Sequence, residues 1–300
     1  MDTKHLRTFQ AVVDCGSYAK AAERLGYTQP TITVHIQQLE RDLGIPLFER
    51  IGRRQVLTQK GTEVLAQTAD ILSSVERLES MGADEAALSG TLRVDLAETL
   101  LCHAMDEAVV EFRRRAPGVA LRLRDRTCLQ VSENLRSGAC DLGLTYAFNW
   151  QPEAFTFWKV AETRAIVVAA LDAPMPDLDE PRQEIRAPFI TDEPDNVFRI
   201  ALESCLRANG SHPLETIELW SSQAIKHLVA LGQGFSVFPC FAVAAELASG
   251  TFREIPSGLD ETTFPILLGH RKKQRLSPAA QLFAELAEKA LRANPSLQPS

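Results

Sequence analysis

The stretch that decides the fold spans residues 9–58 and reads FQAVVDCGSYAKAAERLGYTQPTITVHIQQLERDLGIPLFERIGRRQVLT. Its apolar residues recur every three to four positions in three runs, the spacing of helices that bury one face. Glycines end these runs at positions 16, 26 and 44, and Ser17 and Thr28 stand where side chains cap the next helix. The pattern predicts three short helices packed on one another.

Two short segments after the third helix, Ile45–Arg50 and Gly52–Leu57, predict a two-stranded wing. Thr58 is a capping residue for a longer helix over about 59–80. An apolar stripe suits that helix to pairing with a second helix, and its members are Val64, Leu65, Ile71, Leu72, Val75 and Leu78. The small residues over Met81–Gly90 predict a hinge.

One face of the third helix carries side chains that can read DNA. Gln29, Thr33 and Gln37 recur every fourth position, and residues near the start of such a helix contact base edges in the major groove. Glutamine can bond adenine through two atoms, and threonine offers a hydroxyl or a methyl group. The predicted DNA-contacting residues, with the wing arginines, are Gln29, Pro30, Thr31, Thr33, Val34, Gln37, Arg50, Arg53 and Arg54. The alternative interpretation is a solvated polar face beside an ordinary surface charge run.

The distribution of charge favours a polyanionic partner for the N-terminal part alone. The net charge of the chain is −7, but residues 1–60 carry nine Lys/Arg against six Asp/Glu, and the remainder carries 23 against 33. Phosphate attraction is local, since salt screens charges beyond about 8 Å. No apolar run approaches the roughly 20 residues of a membrane span, and no secretory signal is visible, so we expect a cytoplasmic protein.

From Thr91 onward the pattern changes to strands that alternate with helices. Thr91–Ala97 and Val119–Arg126 have the composition of strands, and one helix is expected between them over Leu100–Arg115. Further alternation continues to a last helix over Pro278–Ala293. This arrangement predicts α/β units with largely parallel sheets.

Several motifs together resemble the LysR-type transcriptional regulators. In the N-terminal part they are Ser17-Tyr18 before Ala21-Ala22, then Leu25, Gln29-Pro30, Leu39-Glu40, Leu43-Gly44 and Leu47-Phe48-Glu49-Arg50, with Thr58 and Gly61 after them. The similarity continues through Pro117, RSGACDLGL at 136–144 and LVALGQGFSVFP at 228–239. The resemblance therefore covers the DNA-binding part specifically and the rest of the chain more loosely.

The resemblance implies an N-terminal all-α winged helix-turn-helix with a linker helix, and then an α/β effector domain of two subdomains like type 2 periplasmic binding proteins. The expected boundaries are 1–58 for the DNA-binding domain, 59–90 for the linker helix and hinge, and 91–300 for the effector domain. Within that domain, subdomain I would cover about 91–163 and 266–300, and subdomain II about 164–265. Members assemble as dimers or tetramers on promoter DNA, and a small-molecule inducer changes DNA bending and transcription. RNA polymerase is a further expected partner.

One residue of the recognition helix departs from the pattern that the resemblance implies. Family members often carry arginine or another polar residue at the position of Val34. A β-branched apolar side chain puts a phosphate or guanine contact in doubt there. We expect it to contact a thymine methyl group instead.

A ligand site is expected where the strands of the α/β part end. In open α/β sheets ligands bind outside the carboxyl ends of strands, near helix N-termini. The predicted effector-binding residues are Glu98, Thr99, Leu100, Thr127, Cys128, Tyr146, Thr191, Asp192 and Ser221. Of these, Thr99, Thr127, Cys128 and Tyr146 fall where the resemblance places effectors. Thr99, Thr127 and Ser221 could equally serve only to cap the helices they precede.

The charges at this predicted rim bear on the class of effector. Glu98, Asp192 and Glu193 are acidic, and few cations accompany them. Tyr146 stands where some relatives that sense carboxylates place arginine. We therefore expect a cationic or neutral effector rather than a dianion.

The sequence fits other classes of function less well. A solute-binding protein would share the α/β architecture but not the DNA-reading helices, and an enzyme would need a catalytic constellation that the sequence lacks. The six cysteines have no close pairing typical of zinc, and no cofactor is expected. Peroxide-sensing members carry paired cysteines around positions 196–205, where this chain has Cys205 alone. A thiol sensor built on Cys102 and Cys128 stays open as an alternative.

Overall fold

Local signals place the helices of the N-terminal part. The computed structural model describes residues 2–51, 54–79, 88–147, 153–175, 177–259, 262–272 and 274–297. Its first three helices are α1 (Thr3–Cys15), α2 (Tyr18–Leu25) and α3 (Gln29–Leu43). The hydroxyls of Ser17 and Thr28 accept backbone N–H groups at the starts of α2 and α3, so one otherwise unpaired donor of each helix is satisfied.

A short hairpin and a long helix follow α3. Strands β1 (Phe48–Ile51) and β2 (Arg54–Leu57) pair in antiparallel fashion and form the wing. Helix α4 covers Gln59–Glu79, and the Thr58 hydroxyl accepts the Gly61 N–H at 2.8 Å in its first turn. Most of the predicted hinge, residues 81–87, lies outside the described residues.

The N-terminal part has a hydrophobic core of its own. Apolar side chains from α1, α2, α3 and the start of α4 meet there, among them Leu6, Phe9, Ile32, Ile36, Leu39, Leu47 and Leu65. Phe9 is fully buried, and its ring lies edge-on to Phe48 of the wing at 5.6 Å. Truncating such a ring to alanine costs about 3–5 kcal/mol, because the cavity does not collapse completely. This packing holds α1, α2, α3 and the wing together in one unit.

The remaining chain alternates strands and helices. The strands are β3 (Gly90–Leu96), β4 (Val119–Asp125), β5 (Leu142–Tyr146), β6 (Phe155–Ala170), β7 (Glu184–Ile185), β8 (Phe189–Thr191), β9 (His212–Pro213), β10 (Thr216–Glu218), β11 (Phe235–Pro239), β12 (Phe252–Ile255) and β13 (Thr263–Arg271). The helices are α5 (Glu98–Ala104), α6 (Asp106–Arg115), α7 (Cys128–Ser137), α8 (Val197–Ala208), α9 (Ser222–Ala230), α10 (Ala244–Ala248) and α11 (Pro278–Ala293), with 3-10 turns at Cys240–Ala242 and Pro295–Leu297.

Two long strands join the two halves of the sheet. The described strands pair in the order β10-β8-β11-β6-β13-β5-β3-β4, and β12 also pairs with β6. Strand β6 pairs with β13 along Phe155–Arg164 and then with β11 and β12 along Ala165–Ala170. The chain thus crosses from one subdomain to the other along β6 and returns along β13.

The sheets are mixed rather than largely parallel. Strand β3 runs parallel to β4 and β5, and β8 runs parallel to β10 and β11, as α/β units require. The crossing strands β6 and β13 are antiparallel to each other and to their outer neighbours. The predicted helix over Leu100–Arg115 is also two helices, α5 and α6, which meet at the fully buried Met105.

Charged and small residues connect the DNA-binding part to the effector part. The Arg93 guanidinium of β3 donates to Asp141 at 2.8 Å and approaches Asp14 of α1 at 3.8 Å. Gly138, at the C-terminal end of α7, has a φ of 72°, and a Cβ there would lie 2.8 Å from the Cβ of Ala69 on α4. Close approach of α7 to the linker helix therefore requires glycine at this position.

Candidate DNA-reading helix and effector cavity

The outer surface of α3 is the candidate DNA-reading surface. Gln29, Pro30 and Gln37 are exposed, and the Val34 side chain is 55% exposed although it is apolar. Thr31 and Thr33 are half-buried, and their hydroxyls are used locally, with Thr28 and with the Gln29 carbonyl oxygen respectively. The methyl groups of Val34 are therefore accessible to an apolar group on a partner.

A groove beside α3 brings part of the predicted set together. Gln29, Thr33 and Gln37 line it, as do Tyr18 of α2 and Gln55 of the wing. The Gln55 side chain donates to the Tyr18 hydroxyl at 3.3 Å, so the wing is attached to α2. Local sequence patterns do not reveal this contact, because the two residues lie 37 positions apart.

Of the three wing arginines, the structure describes the side chain of Arg50 alone. Arg50 is exposed on β1, where it lies opposite Gln55. Arg53 lies outside the described residues, and for Arg54 the strand is described but not the side chain. Phosphate contacts from these three residues stay a prediction.

A cavity of about 280 Å³ lies between the two subdomains, at the carboxyl ends of strands from both. Seven of the nine predicted effector-binding residues line it: Glu98, Thr99, Thr127, Cys128, Tyr146, Thr191 and Asp192. They come together because β3, β4 and β5 end on one side of the cleft and β8 ends on the other. The volume suits a small ligand.

Two predicted residues do not line this cavity. Leu100 is fully buried in the hydrophobic core, because the turn of α5 that presents Glu98 and Thr99 to the cleft points Leu100 the other way. Ser221 caps α9, and its hydroxyl accepts the Ala224 N–H at 3.4 Å. The capping interpretation therefore describes Ser221, and its neighbour Ser222 faces the cavity instead.

The cavity is also lined by residues outside the predicted effector-binding set. They are Ala97, Asp125, Arg126, Gln130, Glu193, Asn196, Val197, Phe198, Trp220, Ser222, Ile225 and Ser236–Pro239. Of these, Ala97, Glu193 and Ser222 belong to the strand ends at which the sequence predicts the site. Most of the additional lining residues follow directly after a strand or begin a helix, so strand ends are the signal that could have found them. Ser236 and Val237 lie within β11 and offer no such signal.

The helix N-termini around the cavity are largely satisfied by the protein itself. The Thr127 hydroxyl caps α7 in a reciprocal capping box with Gln130, and the Asn196 side chain accepts two N–H groups of α8. Glu98 reaches across the cleft, where its carboxylate accepts the Ser222 N–H at the start of α9 at 2.9 Å. A side chain of one subdomain thus occupies a helix N-terminus of the other.

The cavity wall is acidic and partly aromatic. Burial, and secondly the charge of Glu193, raise the pKa of Asp192 to about 7. Burial also raises the pKa of Glu193 itself. Tyr146 donates or accepts a 2.5 Å hydrogen bond with Thr99, and its ring lies edge-on to Phe198 at 4.6 Å. Carboxyl groups with pKa values raised in this way are typical of functional sites.

The cysteines of the described residues are unpaired thiols. Burial raises the pKa of Cys128, whose sulfur accepts the Thr145 hydroxyl at 3.1 Å. Burial and the charge of Glu98 raise the pKa of Cys102. Raised pKa values leave little thiolate, the reactive form, so these surroundings do not favour a thiol sensor.

A helix-turn-helix joined to a two-subdomain ligand-binding fold defines a ligand-responsive DNA-binding regulator. Residues 3–62 match the family described as bacterial regulatory helix-turn-helix protein, lysR family, and residues 85–292 match the LysR substrate binding domain. The chain belongs to the LysR family of transcriptional regulators. That family consists of regulators rather than enzymes, and its effector domain binds small molecules.

Known proteins resemble the chain along its whole length. The transcriptional regulator YfiE of Escherichia coli strain K12 is 35% identical over 97% of this chain and 99% of its own. The transcriptional activator CmpR of Synechocystis is 29% identical over 92% of this chain and 91% of its own. A full-length OxyR variant from Pseudomonas aeruginosa superposes with a TM-score of 0.74 at 21% identity, covering 100% of this chain and 97% of that one, which shows the shared fold. None of the described helices is long and apolar enough to cross a membrane.

Proposed function

We propose that this regulator binds a small-molecule inducer in the cavity between its subdomains, and that occupancy changes promoter DNA bending and transcription. The observation that carries the proposal is the hydrogen bond from the Ser222 N–H to Glu98, which crosses the cleft at 2.9 Å. A ligand entering the cavity meets this bond and alters the relation of the two subdomains. Differential contacts of this kind are what couple a ligand to a conformational change.

Helix α7 offers a route from the cavity to the DNA-binding part. Its N-terminal residues Thr127 and Cys128 line the cavity, and Gly138 at its other end contacts α4. Asp141 then holds Arg93, whose other guanidinium nitrogen faces Asp14 of α1. Movement at the cavity therefore reaches both the linker helix and the helix-turn-helix.

The linker helix supports a homodimer as the smallest functional unit. Leu65 is buried against the N-terminal core, whereas Ile71 and Leu78 on α4 are 37% and 70% exposed. A second copy of α4 would cover these apolar side chains in an antiparallel or parallel pair. Two such dimers would form a tetramer on separated half-sites.

The proposed DNA contacts are made by the residues predicted from the sequence. Gln29, Thr33 and Gln37 would face base edges, Val34 a thymine methyl group, and Arg50 the phosphates. Promoter DNA and RNA polymerase are the proposed macromolecular partners, which places the regulator in the bacterial cytoplasm. We retain 1–58, 59–90 and 91–300 as the proposed domain boundaries.

Fluorescence anisotropy on the DNA immediately upstream of its own gene tests the proposal. The protein should bind this DNA more tightly than a scrambled control sequence. Its affinity should fall steeply between two salt concentrations, because each phosphate contact releases a counterion. Circular-permutation gel shifts should then show a change of DNA bending when inducer is added. Failure on this DNA and also on a genome-wide fragment pool would refute the regulator itself.

Val34→Arg tests how α3 reads its half-site. The variant should lose preference for thymine at one position and gain affinity for guanine or phosphate, because arginine replaces an apolar contact with a charged one. A base-substitution series measures this, with Val110→Arg as the control, since Val110 is 69% exposed on α6. An unchanged base preference would refute the thymine contact.

A further inference from the structure

The inter-subdomain cavity carries an excess of negative charge. Its lining includes four carboxyl groups and a single guanidinium, and these belong to Glu98, Asp125, Asp192, Glu193 and Arg126. The Arg126 guanidinium donates to the carbonyl oxygen of Asp125 at 2.7 Å. None of the four carboxyl groups forms an ion pair with a described lysine, arginine or histidine. Carboxyl groups removed from water without a cation are costly, so this wall is electrostatically complementary to a positive ligand.

Three helix N-termini at the cavity are occupied by side chains of the protein. Thr127 and Asn196 cap α7 and α8, and Glu98 accepts the first N–H group of α9. The start of α5 has no side-chain cap, but its first residue is the acidic Glu98. An anionic ligand would therefore have to displace a capping group or bind beside a carboxylate, and it would also face the other acids of the wall.

Two buried serines present hydroxyl groups to the cavity that have no hydrogen-bond partner in the described part of the protein. Ser222 and Ser236 are 8% and 1% exposed, and both line the cavity. In the described part of the chain neither hydroxyl has a hydrogen-bond partner. Neither oxygen is among the fully buried unpaired atoms, so both are reached from the cavity, and each hydroxyl can accept an N–H donor of a ligand. They lie in subdomain II with Asp192 and Glu193, so donors directed at one side of the cavity would find several acceptors.

Aromatic rings complete a site for a cation that also has an apolar body. The Trp220 side chain lines the cavity mouth and is 77% exposed, which leaves a ring face open to a ligand. Tyr146 and Phe198 form an edge-to-face pair deeper in the cavity. Organic cations bind over such rings within about 6 Å of the ring centre.

The arrangement suits an organic cation rather than a metal ion. Across the described ranges no three His, Cys, Asp or Glu side chains come close enough to hold a metal. The carboxyl groups are spread over both walls of a cavity of about 280 Å³, which is small for a ligand site. A compact alkyl chain with one or two charged nitrogens fits this distribution.

We propose that the effector is a small protonated amine, whose nitrogen is held by Asp192, Glu193 and the two buried serine hydroxyls. The inference rests on the proposed function, since it names the class of molecule that the effector cavity takes. Burial raises the pKa of Asp192 to about 7, and a bound ammonium would lower it again and favour the charged carboxylate. The same surroundings repel a dicarboxylate.

Matched four-carbon probes test the class of ligand. Isothermal titration of the full-length protein at pH 8 would compare 1,4-diaminobutane, n-butylamine, butane-1,4-diol and succinate, followed by a series of linear mono- and diamines. We expect binding by at least one amine and none by the diol or succinate. Binding of succinate, or no amine binding below about 10 mM, would overturn the proposal.

Variants then locate the bound nitrogen. Asp192→Asn and Glu193→Gln should each weaken the best amine about tenfold, because each removes a charged hydrogen bond. Asp172→Asn makes the same charge change on an exposed turn outside the cavity and should leave the affinity unchanged. Equal affinity in all three variants would overturn the assignment.

Operator binding, measured in parallel, separates this inference from the proposed function. If the protein binds its operator specifically and succinate or a neutral compound changes that binding, the proposal of an amine effector fails and the proposed function stands. If no operator is bound by the free or the amine-loaded protein, the proposed function fails. An amine that shifts the operator footprint supports both.

Discussion

Asp192 lies in surroundings that oppose its ionisation, and this has a measurable effect on stability. Burial and, secondly, the charge of Glu193 raise its pKa from 3.8 to about 7. The hydrogen bond from Asn196 and the guanidinium of Arg199 act in the opposite direction. The folded protein thus holds this proton more tightly than the unfolded chain, so its free energy of unfolding falls as pH rises from 3.8 through 7.

The size of the effect follows from the shift. One pKa unit corresponds to about 1.4 kcal/mol, so the ionised Asp192 side chain costs the folded state about 4 kcal/mol at pH 8. Asparagine has nearly the same shape, carries no charge, and keeps an oxygen that can accept the Asn196 N–H. We therefore expect Asp192→Asn to be more stable than the parent by about 4 kcal/mol at pH 8 and by about 2 kcal/mol at pH 5.

Urea denaturation followed by circular dichroism at both pH values measures this difference. Asp172→Asn is the matched control, because Asp172 is exposed outside the cavity. Its stability relative to the parent should not change between pH 5 and pH 8. An Asp192→Asn variant that is less stable than the parent at pH 8, or whose advantage is the same at both pH values, would refute the reasoning.

Three further predictions concern the contacts between the two parts of the chain and the thiols. Gly138→Ala should lower the free energy of unfolding by about 1–2 kcal/mol in urea, because the added Cβ meets Ala69 at 2.8 Å with a φ of 72°; an unchanged midpoint would contradict this contact. Arg93→Met should cost about 3 kcal/mol, since it leaves the Asp141 carboxylate without its buried partner, and adding Asp141→Asn should recover part of the loss. No recovery in the double variant would argue against the ion pair. Cys102→Ser should match the parent in operator binding under a peroxide titration, because its raised pKa leaves little thiolate; a response lost in the variant would restore the thiol-sensor hypothesis.

Much of the N-terminal part is determined by signals that act over a few residues. Ser17 and Thr28 cap the helices that follow them, and glycines end all three helices in the left-handed conformation. The spacing of apolar residues sets which face each helix buries, and the described core contains the side chains that this spacing predicts. The helix over Pro278–Ala293 was predictable for the same reason, since Ser277 caps it and Pro278 begins it. Such signals need no knowledge of distant residues.

Within the α/β part, the tertiary structure alters what local patterns predict. Hydrophobic periodicity alone predicts one helix through α5 and α6. The helix is interrupted at Met105, which is buried where the two helices meet. Thr99 and Leu100 are neighbours in sequence, but Thr99 lines the cavity and Leu100 is buried in the core. The orientation of a helix on its sheet decides such cases, and the sequence of the helix does not contain it.

The effector cavity belongs almost wholly to the tertiary structure. Strand ends predicted that Thr127, Tyr146 and Asp192 would be near one another, because parallel strands end at one edge. That Ser236 and Trp220 join them depends on β6 and β13, which cross between subdomains and set the width of the cleft. The sequence by itself determined the helices of the N-terminal part and showed that this part of the chain binds DNA, because capping and periodicity are local. Only the tertiary structure decided which acids face one another across the cavity, because burial and charge depend on every segment that surrounds them.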